Sequence, residues 1–127
     1  MKPLALLLTA LLAAGCGGEP RAPFQAGGRD VKAWVADLKS PKAQVRRVAV
    51  MKLGNVGEAD PAAAEALAGA LRDPDPLVRH GAVIAVVKLK EPGAEIVSGL
   101  ESMAKGDKDP KAKDAATKAL AKINKGG

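Results

Sequence analysis

Few side chains in this 127-residue chain could carry out covalent or acid–base chemistry. Cys16 is the single thiol, His80 the single imidazole, and tyrosine is absent. A nucleophile needs a positioned base, and that base usually needs a third group to orient it. No such set is suggested by one cysteine and one histidine. Asp73 and Asp75 lie close together, but each stands directly before a proline, where capping a helix start already accounts for a carboxylate. One histidine without convergent cysteines or spaced carboxylates does not make a zinc site. The lone thiol also excludes an internal disulfide. The chain is therefore expected to be no enzyme and to hold no metal or cofactor.

The elements that would position these residues repeat. Trp34-Val35-Ala36-Asp37-Leu38, Leu67-Ala68-Gly69-Ala70-Leu71 and Leu100-Glu101-Ser102-Met103-Ala104 are spaced by 33 residues, each with apolar groups four apart on one helical face. After each comes a proline-marked turn and a second helical pattern: Val45-Arg46-Arg47-Val48-Ala49, Val78-Arg79-His80-Gly81-Ala82 and Ala112-Lys113-Asp114-Ala115-Ala116. A period of this length with two helices per unit predicts a helical solenoid. Ser40-Pro41, Asp60-Pro61, Asp73-Pro74, Asp75-Pro76 and Asp109-Pro110 all place a side-chain oxygen ahead of proline, which suits helix starts. Gly54, Gly57, Gly93 and Gly106 fall near expected helix ends, where a left-handed residue is often needed. No stretch sustains period-two alternation, so strands are not expected.

The pattern resembles the HEAT repeat, in particular the short bacterial type also found in phycobilisome lyases: a leucine helix, an Asp-Pro turn, then Val-Arg followed by small residues. Leu71-Arg72-Asp73-Pro74-Asp75-Pro76-Leu77-Val78-Arg79-His80-Gly81-Ala82 is the closest match, with Leu38 to Ala49 and Asp107 to Ala116 weaker. The expected fold is all-α, a short α-solenoid of about three HEAT-like helical hairpins over residues 30–127, with units near 30–58, 60–91 and 92–125. The resemblance implies that Arg46 and Arg79 bridge to turn aspartates or carbonyls of adjacent units. Arg79 is accordingly read with Asp73 or Asp75, as structure and not as an anion site.

Equivalent positions across the second helices separate core from surface. Val45/Val78/Ala112, Val48/Gly81/Ala115, Ala49/Ala82/Ala116, Leu53/Val86/Leu120 and Val56/Leu89/Ile123 are apolar or small in every unit and form the expected buried face. Arg47/His80/Asp114, Met51/Ile84/Lys118 and Gly54/Val87/Ala121 form a stripe on the opposite side. In HEAT-like solenoids the second helices line the concave surface, so Arg47, Met51, His80, Ile84, Val87 and Lys118 are the candidate partner-binding residues. The alternative is that these side chains pack on loops or on Phe24.

Ahead of the repeats, Lys2, the uncharged apolar run Leu4 to Ala14, and Ala13-Ala14-Gly15-Cys16 have the three-part layout of a secretory signal. The run is shorter than the roughly 20 apolar residues that span a bilayer. The segment resembles a bacterial lipoprotein signal peptide, which implies removal of residues 1–15 and lipidation of Cys16, and hence an exported lipoprotein on the periplasmic face of a cell-envelope membrane. Gly17 after the cysteine is compatible with outer-membrane sorting. An ordinary secretory signal, cleaved near Ala14 or Gly15, would leave the thiol free. Residues 16–29 then read as a lipidated cysteine and a tether, because their glycines and prolines leave little to bury.

Charge narrows the partners. The chain carries 20 basic and 14 acidic side chains, and from residue 30 onward six basic and two acidic fall over 30–57, four and eight over 58–104, and seven and three over 105–127. Basic ends around an acidic middle suggest self-complementary electrostatics, and Phe24 and Trp34 are the only aromatics available to stack on bases, so nucleic-acid binding is not expected. The sequence points to a membrane-anchored lipoprotein with a protein-binding or assembly scaffold. The alternatives are an accessory or chaperone-like subunit of an enzyme, or a bilin-lyase-like remnant. It names no partner.

Overall fold

Aspartates placed ahead of proline start three of the helices. Asp60 Oδ1 accepts from the Ala62 amide at 2.9 Å, Asp75 Oδ2 from Val78 at 3.0 Å and Asp109 Oδ2 from Ala112 at 2.9 Å. Each accepts from an amide of the first helical turn, where the N–H groups lack the carbonyl four residues back that later amides use. In the computed structural model, which describes residues 25–26 and 29–126, the helices are α1 (Val31–Asp37), α2 (Ala43–Gly54), α3 (Pro61–Ala70), α4 (Pro76–Val86), α5 (Ala94–Gly106) and α6 (Pro110–Gly126).

The other two proline pairs do different work. Ser40 Oγ accepts from the Lys42 amide at 3.2 Å and Asp73 Oδ1 from the Asp75 amide at 2.9 Å, so both shape the turn and the helix begins beyond it. Just before α1, a short antiparallel ladder pairs Gln25 with Asp30 and Ala26 with Arg29. No alternating pattern in the sequence announces this ladder, and strands are not among the expected elements. Cys16 and Phe24 lie outside the described residues.

The helices pair as α1/α2, α3/α4 and α5/α6, and the hairpins stack into two layers. The second helices α2, α4 and α6 make one layer, and α1, α3 and α5 make the other. This is the all-helical solenoid that the 33-residue period predicts. The column Ala49/Ala82/Ala116 is fully buried at 0% exposure in all three units. Leu53, Val86, Val56 and Leu89 are buried as expected, while Leu120 and Ile123 at the open end of the stack are only half-buried. The first helices contribute Trp34, Leu67, Leu71, Leu100 and Met103 from the other side.

None of the glycines from Gly54 to Gly126 adopts the left-handed backbone that helix ends often require. Their use is space. A methyl group on Gly54 would sit 2.8 Å from the Ala85 Cβ and 3.2 Å from its Cα, so α2 and α4 pack here nearly backbone to backbone. A methyl on Gly99 of α5 would sit 2.9 Å from Cδ1 of Leu71, the tip of a side chain that can turn. Alanine favours a helix over glycine by up to about 1 kcal/mol at either site, so the neighbours decide the sign. Gly54→Ala is expected to destabilise by about 1–3 kcal/mol through overpacking, and Gly99→Ala to stay within about 1 kcal/mol of wild type. Urea denaturation measures both. Introduced into an Ala85→Gly background, Gly54→Ala should become nearly harmless; an unchanged penalty there would rule out the close approach as its cause.

Candidate functional site

The turns between the helices of each hairpin carry the ionic chemistry of the stack. Arg46 on α2 donates from Nε to Asp73 Oδ2 at 2.9 Å and from Nη2 to Oδ1 at 3.1 Å, while Nη1 donates to the Ser40 carbonyl at 2.8 Å. Arg79 on α4 repeats the arrangement one unit on, with Asp107 at 2.8 Å through both nitrogens and the Asp73 carbonyl at 2.8 Å. Each arginine thus holds its own turn by a carbonyl and the next turn by a carboxylate, in the planar two-pronged geometry that guanidinium favours. The expected pairing of Arg79 with Asp73 or Asp75 is corrected: its carboxylate is Asp107. Arg46 occupies Asp73, and Arg47 occupies Asp75 at 3.0 and 3.2 Å. Arg47, expected on the binding stripe, is therefore also a structural clamp. The Arg79 guanidinium holds the Asp107 carboxyl below its usual range, and Arg47 does the same for Asp75.

The outer clamp does not repeat. His80 stands where Arg47 stands one unit earlier, and Asp109 where Asp75 stands, yet no ion pair joins them among the described residues. His80→Arg should supply the missing bridge and raise Tm by a few degrees, since a partly exposed pair contributes modestly. Thermal melts of His80→Arg and of His80→Arg/Asp109→Asn check this. An equal rise in both would show that the carboxylate plays no part.

The remaining stripe residues divide. Met51 is 57% exposed and Ile84 50%, and with Arg47, Gly81, Ala85 and Lys88 they line a groove of about 250 Å³ between α2 and α4. Lys118 is exposed and paired to Asp114 at 2.8 Å along α6. His80 is half-buried, and Val87, expected on this surface, packs instead against the core. Gly54, read in the same stripe, is buried under Ala85. Leu77, at 55% exposure, belongs to the surface but was not expected there. Its position seven residues before Ile84 on one helix, two turns and nearly the same direction, is the sign that could have found it. Met51, Leu77 and Ile84 are the exposed large hydrophobics among the described residues, and all three lie on second helices.

What this surface offers is apolar contact bordered by cations. No buried side-chain nitrogen or oxygen among the described residues lacks a hydrogen-bond partner, and no three His, Cys, Asp or Glu side chains there converge as metal ligands would. Stacked two-helix units and an arginine–aspartate rung between successive turns define a short α-solenoid with an open second-helix face. The family model for HEAT repeats matches residues 31–121, and the chain belongs to that family. HEAT repeats commonly serve as protein-interaction scaffolds. No curated protein matches the chain. No helix among the described residues is long and apolar enough to cross a membrane.

Proposed function

We propose that this protein is a membrane-anchored lipoprotein whose HEAT repeats act as a non-catalytic scaffold for binding or assembling another protein. The observation that carries the binding half is the gathering of Met51, Leu77 and Ile84, each at least half exposed, onto the second-helix layer. Met51 and Ile84 line one open groove with Arg47 and Lys88 at its rim, and an exposed apolar patch rimmed by charge is how contact surfaces distinguish themselves from scattered exposed residues; Leu77, two turns before Ile84, is not part of that groove. The anchor rests on the sequence: Lys2, the apolar run Leu4 to Ala14 and the small residues before Cys16 support lipidation and an envelope location. Two acyl chains or more, at about 0.8 kcal/mol per buried methylene, would hold the scaffold firmly on a membrane.

Crosslinking pull-down of the lipidated protein from its own membranes tests the reading, beside a Met51→Asp/Ile84→Asp variant shown by circular dichroism to be folded. A partner captured by the wild type and lost with the variant supports the second-helix surface; equal capture by both places binding elsewhere. The anchor is tested separately by mass. Cys16→Ser should lose a lipid increment, and a wild-type protein without one has no anchor.

A further inference from the structure

The two outer turns of the second-helix surface change character along the stack. The column that holds Met51 in α2 and Ile84 in α4 holds Lys118 in α6, and one turn further on Asn55 gives way to Lys88 and then to Lys122. The surface therefore runs from an apolar recess to a cationic edge. Gly81 and Ala85 keep the floor of the recess low between Met51 and Ile84, which leaves room for side chains that project into it. Lys122 has no carboxylate at ion-pair distance among the described residues, Lys88 Nζ donates only to the neutral Asn55 Oδ1 at 3.3 Å, and the Lys118–Asp114 pair is exposed on both sides. Exposed pairs of that kind are held weakly and can exchange partners.

Resting on the scaffold reading above, we infer that the occupant of this surface is an acidic amphipathic helix of a partner protein, its apolar side chains in the recess and its carboxylates on Lys88, Lys118 and Lys122. Charge complementarity selects the acid: Met51, Ile84 and Lys118 with Asn55, Lys88 and Lys122 make up the two outer columns, which hold three cations and no carboxylate, and the one acid a turn before them on α6, Asp114, is paired with Lys118 in an exposed bridge. The recess selects a helix over a membrane. Side chains repeating at three and four residues enter a groove between two helices, whereas a lipid surface would meet the lysines and pass over the recess. A nucleic acid would use the same lysines but gain nothing from Met51, Leu77 and Ile84, and Trp34 is buried away from any base.

Fluorescence anisotropy with the lipidated full-length protein in detergent tests this. The probes are a helical peptide with leucines at heptad spacing and glutamates on its other faces, and the same peptide with lysines in place of glutamates. The glutamate peptide should bind at least about tenfold more tightly than the lysine peptide and more weakly as salt rises. Ile84→Asp and Lys118→Glu/Lys122→Glu, each confirmed folded by circular dichroism, should each weaken it about tenfold. Equal binding of the two peptides, or binding of neither, overturns the inference. The scaffold reading fails independently: a native partner that is lost with Met51→Asp/Ile84→Asp but still captured by Lys118→Glu/Lys122→Glu keeps the scaffold and removes the acidic helix.

Discussion

Leu71→Ala is expected to lower stability by about 2–5 kcal/mol, the range for emptying a buried leucine site, and so to remove a large part of what a domain of this size possesses. Leu71 is 1% exposed, closes the end of α3 and reaches across to α5, where its Cδ1 fills the space that a side chain on Gly99 would need. The void it leaves cannot collapse easily. The α5/α6 hairpin is also held by α6 against α4, so α5 is not free to settle toward α3. Urea denaturation followed by circular dichroism gives the loss. A solenoid is stabilised chiefly by contacts between neighbouring units, so the variant should also weaken cooperativity, seen as a lower m-value and faster amide exchange in α5 and α6 than in α2. Gly99→Ala, nearly neutral alone, should recover part of the loss when added to Leu71→Ala, because its methyl enters the void. A loss below about 1 kcal/mol, or no recovery, would show that α3 and α5 do not depend on this contact.

The same residues explain what was legible in the sequence. Burial of Ala49, Ala82 and Ala116 and of the leucine and valine columns beside them follows from a period that both helices of each unit respect. Asp60, Asp75 and Asp109 cap helices because the chemistry is local, acting over two or three residues. Partners across units are harder. Arg79 meets Asp107 at a separation of 28 residues, a distance set by how far one hairpin is rotated and shifted on the next, and a repeat period alone does not state it. The recurrence was nonetheless visible after the fact, since Asp73 and Asp107 align as Arg46 and Arg79 do. Gly54 and Val87 were misplaced for a related reason. They lie at the border of the helix face, where a few degrees of rotation exchange groove for core. Met51 and Ile84, at the centre of that face, fell where the spacing placed them.

The inter-unit rung leads to the second large effect, and its pH dependence separates charge from packing. Asp107 has a side chain only 4% exposed, receives both prongs of Arg79 at 2.8 Å and also accepts from the Asp109 amide at 2.9 Å. Asp107→Asn keeps the shape and, at Oδ1, an acceptor for the Asp109 amide and one prong of Arg79, but it removes the carboxylate charge and sets its amide nitrogen against the other prong, donor to donor. At neutral pH it should destabilise by about 1.5–3 kcal/mol, the range for hydrogen bonds to charged groups. Arg79 is not left bare, because it still donates to the Asp73 carbonyl at 2.8 Å and to Pro74 at 3.2 Å. The Asp107 carboxyl is held below its usual range by Arg79 in the folded chain and returns to about 3.9 when unfolded. Between those values the unfolded chain binds the extra proton, so the contribution is full above about pH 5 and disappears as pH falls through the depressed folded value. The stability gap between wild type and Asp107→Asn should therefore be constant from pH 7 to about pH 5 and narrow steadily toward pH 2. Asp75, held low by Arg47, steepens the acid limb of both proteins equally and leaves the gap unaffected. A gap as wide at pH 2 as at pH 7 would mean that Asp107 joins the second and third units by shape and not by charge.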